Sequence, residues 1–184
     1  MLMGPPPCDF GVPAPRFNLP DPSGREFSLE DCAGENGTLV MFICNHCPYV
    51  QAILGKLSRD TAELREHGIG SVAIMPNDVV RYPADSPPRM AALAEQAGFD
   101  FPYLYDESQE VASSYGAVCT PDFFGYNADL ELQYRGRLDS STSRAGPPDA
   151  PRELFDAMVQ IARTGQGPRS QNSSQGCSIK WRGQ

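Results

Sequence analysis

The stretch Thr38-Leu39-Val40-Met41-Phe42-Ile43-Cys44-Asn45-His46-Cys47-Pro48-Tyr49-Val50 decides how the rest of the chain is read. Its first six residues form a short, mostly apolar run with β-branched and aromatic members. That pattern predicts a buried central strand. Pro48 follows shortly after and suits the first position of a helix. Beyond it, Val50, Ile53, Leu54, Leu57 and Leu64 recur at helical spacing, with Lys56, Arg59, Asp60, Glu63 and Arg65 mostly on the other side. Gly68 ends the helix, and Ile69 to Met75 reads as a second buried strand. Strand, helix and strand over 38–75 make a crossover unit, which implies a parallel pair and an α/β fold.

Upstream, Phe17-Asn18-Leu19 and Arg25 to Leu29 flank Asp21-Pro22-Ser23-Gly24, the pattern of an N-terminal hairpin. Downstream, Met90 to Ala97 reads as a helix, Phe101 to Tyr105 as a short strand and Ser108 to Tyr115 as a short helix. Asp122 to Tyr126 and Leu130 to Tyr134 read as an antiparallel hairpin. Arg152 to Ala162 carries a last amphipathic helix. From about residue 165 the composition turns polar, so a domain over 1–164 and a flexible tail over 165–184 are expected.

The chain has 184 residues, with 15 Lys+Arg against 23 Asp+Glu, a net charge of −8. An acidic surface argues against nucleic acid as a partner, because that affinity rests on cationic neutralisation of phosphates. No apolar run approaches the ~18 residues of a membrane span. The first residues lack a basic region and an apolar segment, so a cytoplasmic location is expected rather than export. Of six cysteines, four are scattered singly, and only Cys44 and Cys47 form a C-x-x-C pair. No second such pair or paired histidine exists, so no structural metal site is expected.

The pair falls between the end of a strand and the start of a helix. Free N–H groups and the positive helix end both favour thiolate over thiol there, and the thiolate is the nucleophile. One sulfur can attack a disulfide and its neighbour can resolve the mixed disulfide. Asn45 and His46 occupy the middle positions, and a cationic His46 would tune the pair. No organic cofactor is needed, because the electrons reside on sulfur. Asp78 and Asp85 read as solvated loop residues and Tyr103 as packing.

Phe17-Asn18-Leu19-Pro20-Asp21 through Gly24, with Ser28-Leu29, resembles the opening of the alkyl hydroperoxide reductase/thiol-specific antioxidant group of thioredoxin-like proteins. Phe42 to Val50 resembles the signature of a peroxiredoxin-like redoxin subfamily. So do Tyr103 to Glu107, Tyr115 to Phe124, Tyr134 to Asp139 and Gly176-Cys177-Ser178-Ile179-Lys180-Trp181. The likeness runs from about residue 9 to 181. It implies a thioredoxin-like fold, a central mixed sheet flanked by helices, with the hairpin as an N-terminal extension. It also implies that Pro121, after Thr120, is a cis-proline facing the cysteines, and that the partners are protein or small-molecule thiols and disulfides. The physiological reductant is left open. Related redoxins often form homodimers.

Two alignments with relatives compete. Set against thioredoxins, Cys44 attacks and Cys47 resolves; set against peroxiredoxins, Cys47 is the peroxidatic sulfur and Cys44 replaces a hydroxyl residue. The peroxidase reading also calls on a guanidinium, from Arg135 or Arg137. Disulfide exchange therefore ranks first and thiol peroxidase second. A third reading, by likeness to the Sco copper-chaperone family, gives Cys44, Cys47 and His46 or His67 to Cu(I), since thiolates suit that ion. Cys119, just ahead of Pro121, and Cys177, in the tail, stand as possible third redox sulfurs. Sulfurs shut away from any solvent opening would count against catalysis.

Overall fold

The computed structural model describes residues 2–183. It starts with β1 (Leu2–Met3), then the hairpin β2 (Asn18–Pro20) and β3 (Glu26–Ser28), and the short helix α1 (Leu29–Cys32). Ser28 caps α1: its hydroxyl accepts from the Asp31 N–H, while the Asp31 carboxylate accepts from the Ser28 N–H, a reciprocal box that fixes the helix start. Next come β4 (Gly37–Phe42), α2 (Pro48–Gln51), α3 (Leu54–Glu66) and β5 (Ile69–Met75). The remainder is α4 (Pro87–Ala97), β6 (Tyr103–Tyr105), α5 (Glu110–Tyr115), β7 (Cys119–Thr120), β8 (Asp122–Asn127), β9 (Leu132–Tyr134), α6 (Glu153–Thr164) and β10 (Gly176–Ser178).

Five strands form a mixed sheet in the order β6-β5-β4-β8-β9. β4 runs parallel to β5 and antiparallel to β8, so the predicted crossover and hairpin meet on its two edges. All six β4 residues are buried, as a central strand covered on both faces must be. Alternation along β4 then builds two cores. Leu39, Met41 and Ile43 pack with Leu57 and Leu64 of α3, Met90 of α4, and Leu154, Met158 and Ile161 of α6. Val40 and Phe42 pack with Leu29 of α1, Tyr115 of α5 and Phe124 of β8. This is the thioredoxin-like layering that the sequence implied.

Two expectations change. The single helix over 48–67 is broken after Gln51. Ile53 N–H bonds to Val50 O at 3.1 Å, a tightened three-residue turn, before Leu57 N–H restarts the α pattern on Ile53 O. The polar tail is docked, because main-chain pairing does for it what apolar side chains do elsewhere. β10 pairs antiparallel with β7 on one edge and with β1 on the other. Beyond it, Lys180 N–H bonds to Asn77 Oδ1, Asp78 N–H to Lys180 O and Arg182 N–H to Gln109 Oε1. Ile179, almost fully buried, anchors the segment in the second core.

Candidate active site

Cys44 and Cys47 sit in the loop between the C-terminal end of β4 and α2, with Cys47 as the cap residue and Pro48 in the first helical position. The Thr120–Pro121 peptide bond is cis, as the family likeness implied, and it brings β7 to this loop. Cys44 Sγ lies 3.2 Å from Thr120 Oγ1, and Cys47 Sγ lies 3.1 Å from Thr120 O. Both sulfurs are buried, at 1% and 0% exposure. The expected solvent opening is closed, and a piece of this chain closes it. Cys177 stands directly opposite Thr120 in the β7–β10 ladder. Opposed residues in an antiparallel pair share a face. Thr120 points its hydroxyl at Cys44, so Cys177 is on the face that holds the two loop sulfurs. Cys119, one residue earlier, alternates to the other side, bonds to Pro121 O at 3.5 Å and is held neutral by burial.

The surroundings treat the two loop sulfurs oppositely. Protonated, Cys47 would donate to the Thr120 carbonyl. Against that one acceptor stand several donors: first the Cys44 thiol, then the backbone N–H of Cys177, with smaller pulls from the Val50 N–H and the Cys177 thiol. No full cap hydrogen bond reaches the Cys47 sulfur from α2, because the Val50 N–H is committed to Cys47 O at 3.0 Å. The donors outweigh the cost of burial, and Cys47 falls far below the ordinary thiol range. Cys44, as donor to Cys47, is pushed well above it, and burial and the Asp85 charge push the same way. The surroundings thus lower Cys47 and raise Cys44. Which sulfur ionises depends on donors that arrive from β10 and from Cys44 itself, and spacing alone does not carry that.

His46 and Asn45 are fixed by a residue that the sequence reading left in solvent. Asp85 is fully buried. Its Oδ1 accepts from the Asn45 and His46 N–H groups at 2.8 and 3.3 Å. Its Oδ2 accepts from Asn77 Nδ2 at 2.8 Å and pairs with His46 Nδ1 at 2.7 Å. The hydrogen bond to Asp85 raises His46 above its usual value, and the Cys47 charge adds to this. Burial pushes the Asp85 carboxyl up, but the hydrogen bonds from His46 and Asn77 overcome it and leave Asp85 lowered. His46 stacks on Tyr82 with rings 5.6 Å apart. Asn45 is locked further by Tyr103 O–H at 2.9 Å, by Ala84 O, and by Gln51 Nε2 on its carbonyl. Asp78, also read as solvated, is buried too.

Cys44, His46 and Asp85 bring ligand atoms within 4.8 Å of one another. Both Asp85 oxygens already accept two donors each, so the cluster fits a hydrogen-bonded dyad better than a metal shell. His67 caps the far end of α3 against Phe155, away from the sulfurs. The two arginines named for peroxide are engaged. Arg135 pairs with Asp122 at 3.0 Å and donates to Gly116 O, and Arg137 forks onto Glu153. Arg137 does line, with Tyr49, Ile53 and Phe123, a cleft beside Pro121. Among the described residues, no helix is long and apolar enough to cross a membrane.

Comparison with known proteins places the fold and the family. A crystal structure of an uncharacterized conserved protein from Geobacillus kaustophilus superposes with a TM-score of 0.91, at 40% identity, covering 100% of this chain and 98% of that one. Peroxiredoxin Bcp from Escherichia coli K12 is 26% identical over 123 residues, 67% of this chain and 74% of its own. The thioredoxin domain of a thiol-disulfide oxidoreductase from Bacteroides vulgatus shares the fold, with a TM-score of 0.57 at 18% identity over 68% of this chain and 86% of its own. The family model described as AhpC/TSA matches residues 10–139, strand β4, both loop cysteines and the cis-proline included. On that match the chain belongs to the AhpC/TSA family, and it is a thioredoxin-fold, peroxiredoxin-like oxidoreductase.

Proposed function

We propose that the protein catalyses thiol–disulfide exchange with Cys44 and Cys47 as one two-electron couple. Cys47 is the reactive thiolate. Cys44 is the thiol that closes the disulfide. His46, held by Asp85, lies between the two sulfurs in the loop and tunes the pair, and Thr120 with Pro121 forms the wall of the site. The observation that carries this reading is that both loop sulfurs meet Thr120, beside the cis Pro121, at the entrance of α2, where the surroundings lower Cys47 and raise Cys44. A low-pKa sulfur both attacks as thiolate and leaves easily, while its neutral neighbour keeps the proton that the exchange needs. The partners are thiols and disulfides, protein or small molecule, and a cytoplasmic thiol pool suits such a couple.

The test is oxidation with one equivalent of diamide, alkylation of remaining thiols, and peptide mapping. The expected product is a Cys44–Cys47 disulfide. Cys47 oxidised without that link would remove the assignment. Thiol peroxidase is the second reading, favoured by the likeness to Bcp. It needs a guanidinium beside Cys47, and the two arginines named for that role are held by Asp122 and Glu153. Hydrogen peroxide consumption is therefore expected to be slow, within a few-fold of a Cys47→Ser control. Rapid turnover that Cys47→Ser abolishes would reverse the ranking.

A further inference from the structure

The couple has no direct path to solvent. Cys44 and Cys47 are 1% and 0% exposed, yet a redox couple must exchange with something outside. The third cysteine of the group, Cys177, is half-buried, and it stands opposite Thr120, the residue that both loop sulfurs meet. Its strand is firmly seated. β10 pairs on both edges, Ser174 Oγ donates to Pro121 O at 2.8 Å, and Lys180 is held by Asn77, Asp78 and Gln109. Gly176 sits so close to β7 that a Cβ there would meet Thr120 O at 2.1 Å, a fit that only glycine allows. Lifting this strap for each turnover would break all of these bonds. Exchange through Cys177 breaks none of them.

We propose that Cys177 is a relay sulfur that carries exchange between external thiols and the buried Cys44–Cys47 couple. The inference rests on the proposed couple and adds its route of access. In the reducing direction, Cys177 attacks the Cys47 sulfur of the Cys44–Cys47 disulfide. The Cys47–Cys177 bond forms, and Cys44 leaves with the proton that Cys177 gives up. An external thiolate then attacks Cys177 from solvent, its bond to Cys177 forms, and Cys47 leaves as thiolate. A second external thiol attacks the external sulfur of that mixed disulfide, releasing the external disulfide and returning Cys177 to a thiol. The couple gains two electrons, two external thiols lose them, and Cys177 ends unchanged. Cys47 is the best leaving group of the three, so the middle step runs toward solvent.

Two measurements test this. Cys44→Ser removes the competing partner, and oxidation by diamide is expected to give an intramolecular Cys47–Cys177 disulfide, mapped by mass spectrometry. Cys177→Ser leaves the couple in place. Oxidised Cys177→Ser should be reduced by glutathione about 100-fold more slowly than wild type, since a positioned sulfur is replaced by rare strap opening. The equilibrium position of the couple should move little, because a relay alters rates and the introduced hydroxyl can still donate to Cys47. Cys44→Ser oxidised with no Cys47–Cys177 link, or Cys177→Ser reduced as fast as wild type, overturns the relay. A wild type that never forms Cys44–Cys47 overturns the proposed couple instead, so the two failures are distinguishable.

Discussion

Asp85→Ala is expected to lower the unfolding free energy by about 3 kcal/mol, because a buried charge with hydrogen-bonded partners leaves those partners stranded when it is removed. The stranded groups can be named: the N–H groups of Asn45 and His46, the Asn77 amide, and the His46 imidazole. The damage reaches the strap as well. Asn77 donates its amide N–H to Asp85 and accepts the Lys180 N–H on Oδ1, so a freed Asn77 loosens the hold on the tail. For a chain of this size the melting temperature should fall by roughly 10 °C. Asp85→Asn keeps an acceptor for the Asn45 and His46 N–H groups and should lose about half as much, since the two bonds on Oδ2 go. Urea denaturation of the three proteins measures this. A loss under about 0.5 kcal/mol for Asp85→Ala would put Asp85 among ordinary surface carboxylates and undo its role in holding the loop.

The C-x-x-C pair, the strand before it and the Pro48 helix start could be read from the sequence because each is a local pattern. Polarity, β-branching and proline geometry act within a few residues, and the structure keeps all three. Asp85 could not be read this way. It lies in a Pro-rich loop whose composition suggests solvent, and only the return of the 76–86 segment over the cysteine loop buries it, across some 40 residues of chain. A weak signal existed in Asn77 and Asp78, straight after the C-terminal end of β5, with Asp85 later in the same loop. The tail misled for a related reason. β10 is three residues long, begins with Gly and carries no apolar period, so composition marks it as loose. Its stability comes from backbone pairing on two edges and from side chains elsewhere in the chain that accept its N–H groups. The lowering of Cys47 was hidden for the same cause, since the groups around its sulfur include Cys177, 130 positions away.

The second large effect concerns how reactivity varies with pH once Cys47 can be reached. Gly176→Val forces a side chain against Thr120 O and should lift β10 from β7. With about 3 kcal/mol of strap hydrogen bonding lost, iodoacetamide should modify Cys47 about 100-fold faster than in wild type. An ordinary thiol, with a pKa of about 8.5, gains nearly tenfold in rate per pH unit and so roughly 1,000-fold from pH 5 to pH 8. Cys47 keeps its largest stabilising contact, the Cys44 thiol, after the strap lifts. The lift removes the Cys177 donors, so Cys47 should rise part of the way but stay below the ordinary thiol range, and its rate should climb far less than 1,000-fold from pH 5 to pH 8. The linked stability has a definite sign. Cys47 is depressed in the folded state, so its contribution is complete above the unfolded thiol value of about 8.5 and fades as pH falls toward the folded one. His46 is raised, so its contribution is complete below about 6.5 and is lost as pH rises through the folded value. Thiolate and imidazolium coexist between the lowered sulfur value and the raised histidine value, and the couple is poised for exchange across that window. A rate at Cys47 that climbs tenfold per pH unit would mean that its sulfur is protonated near neutrality, and neither the thiolate assignment nor its function as the leaving group of the relay would survive.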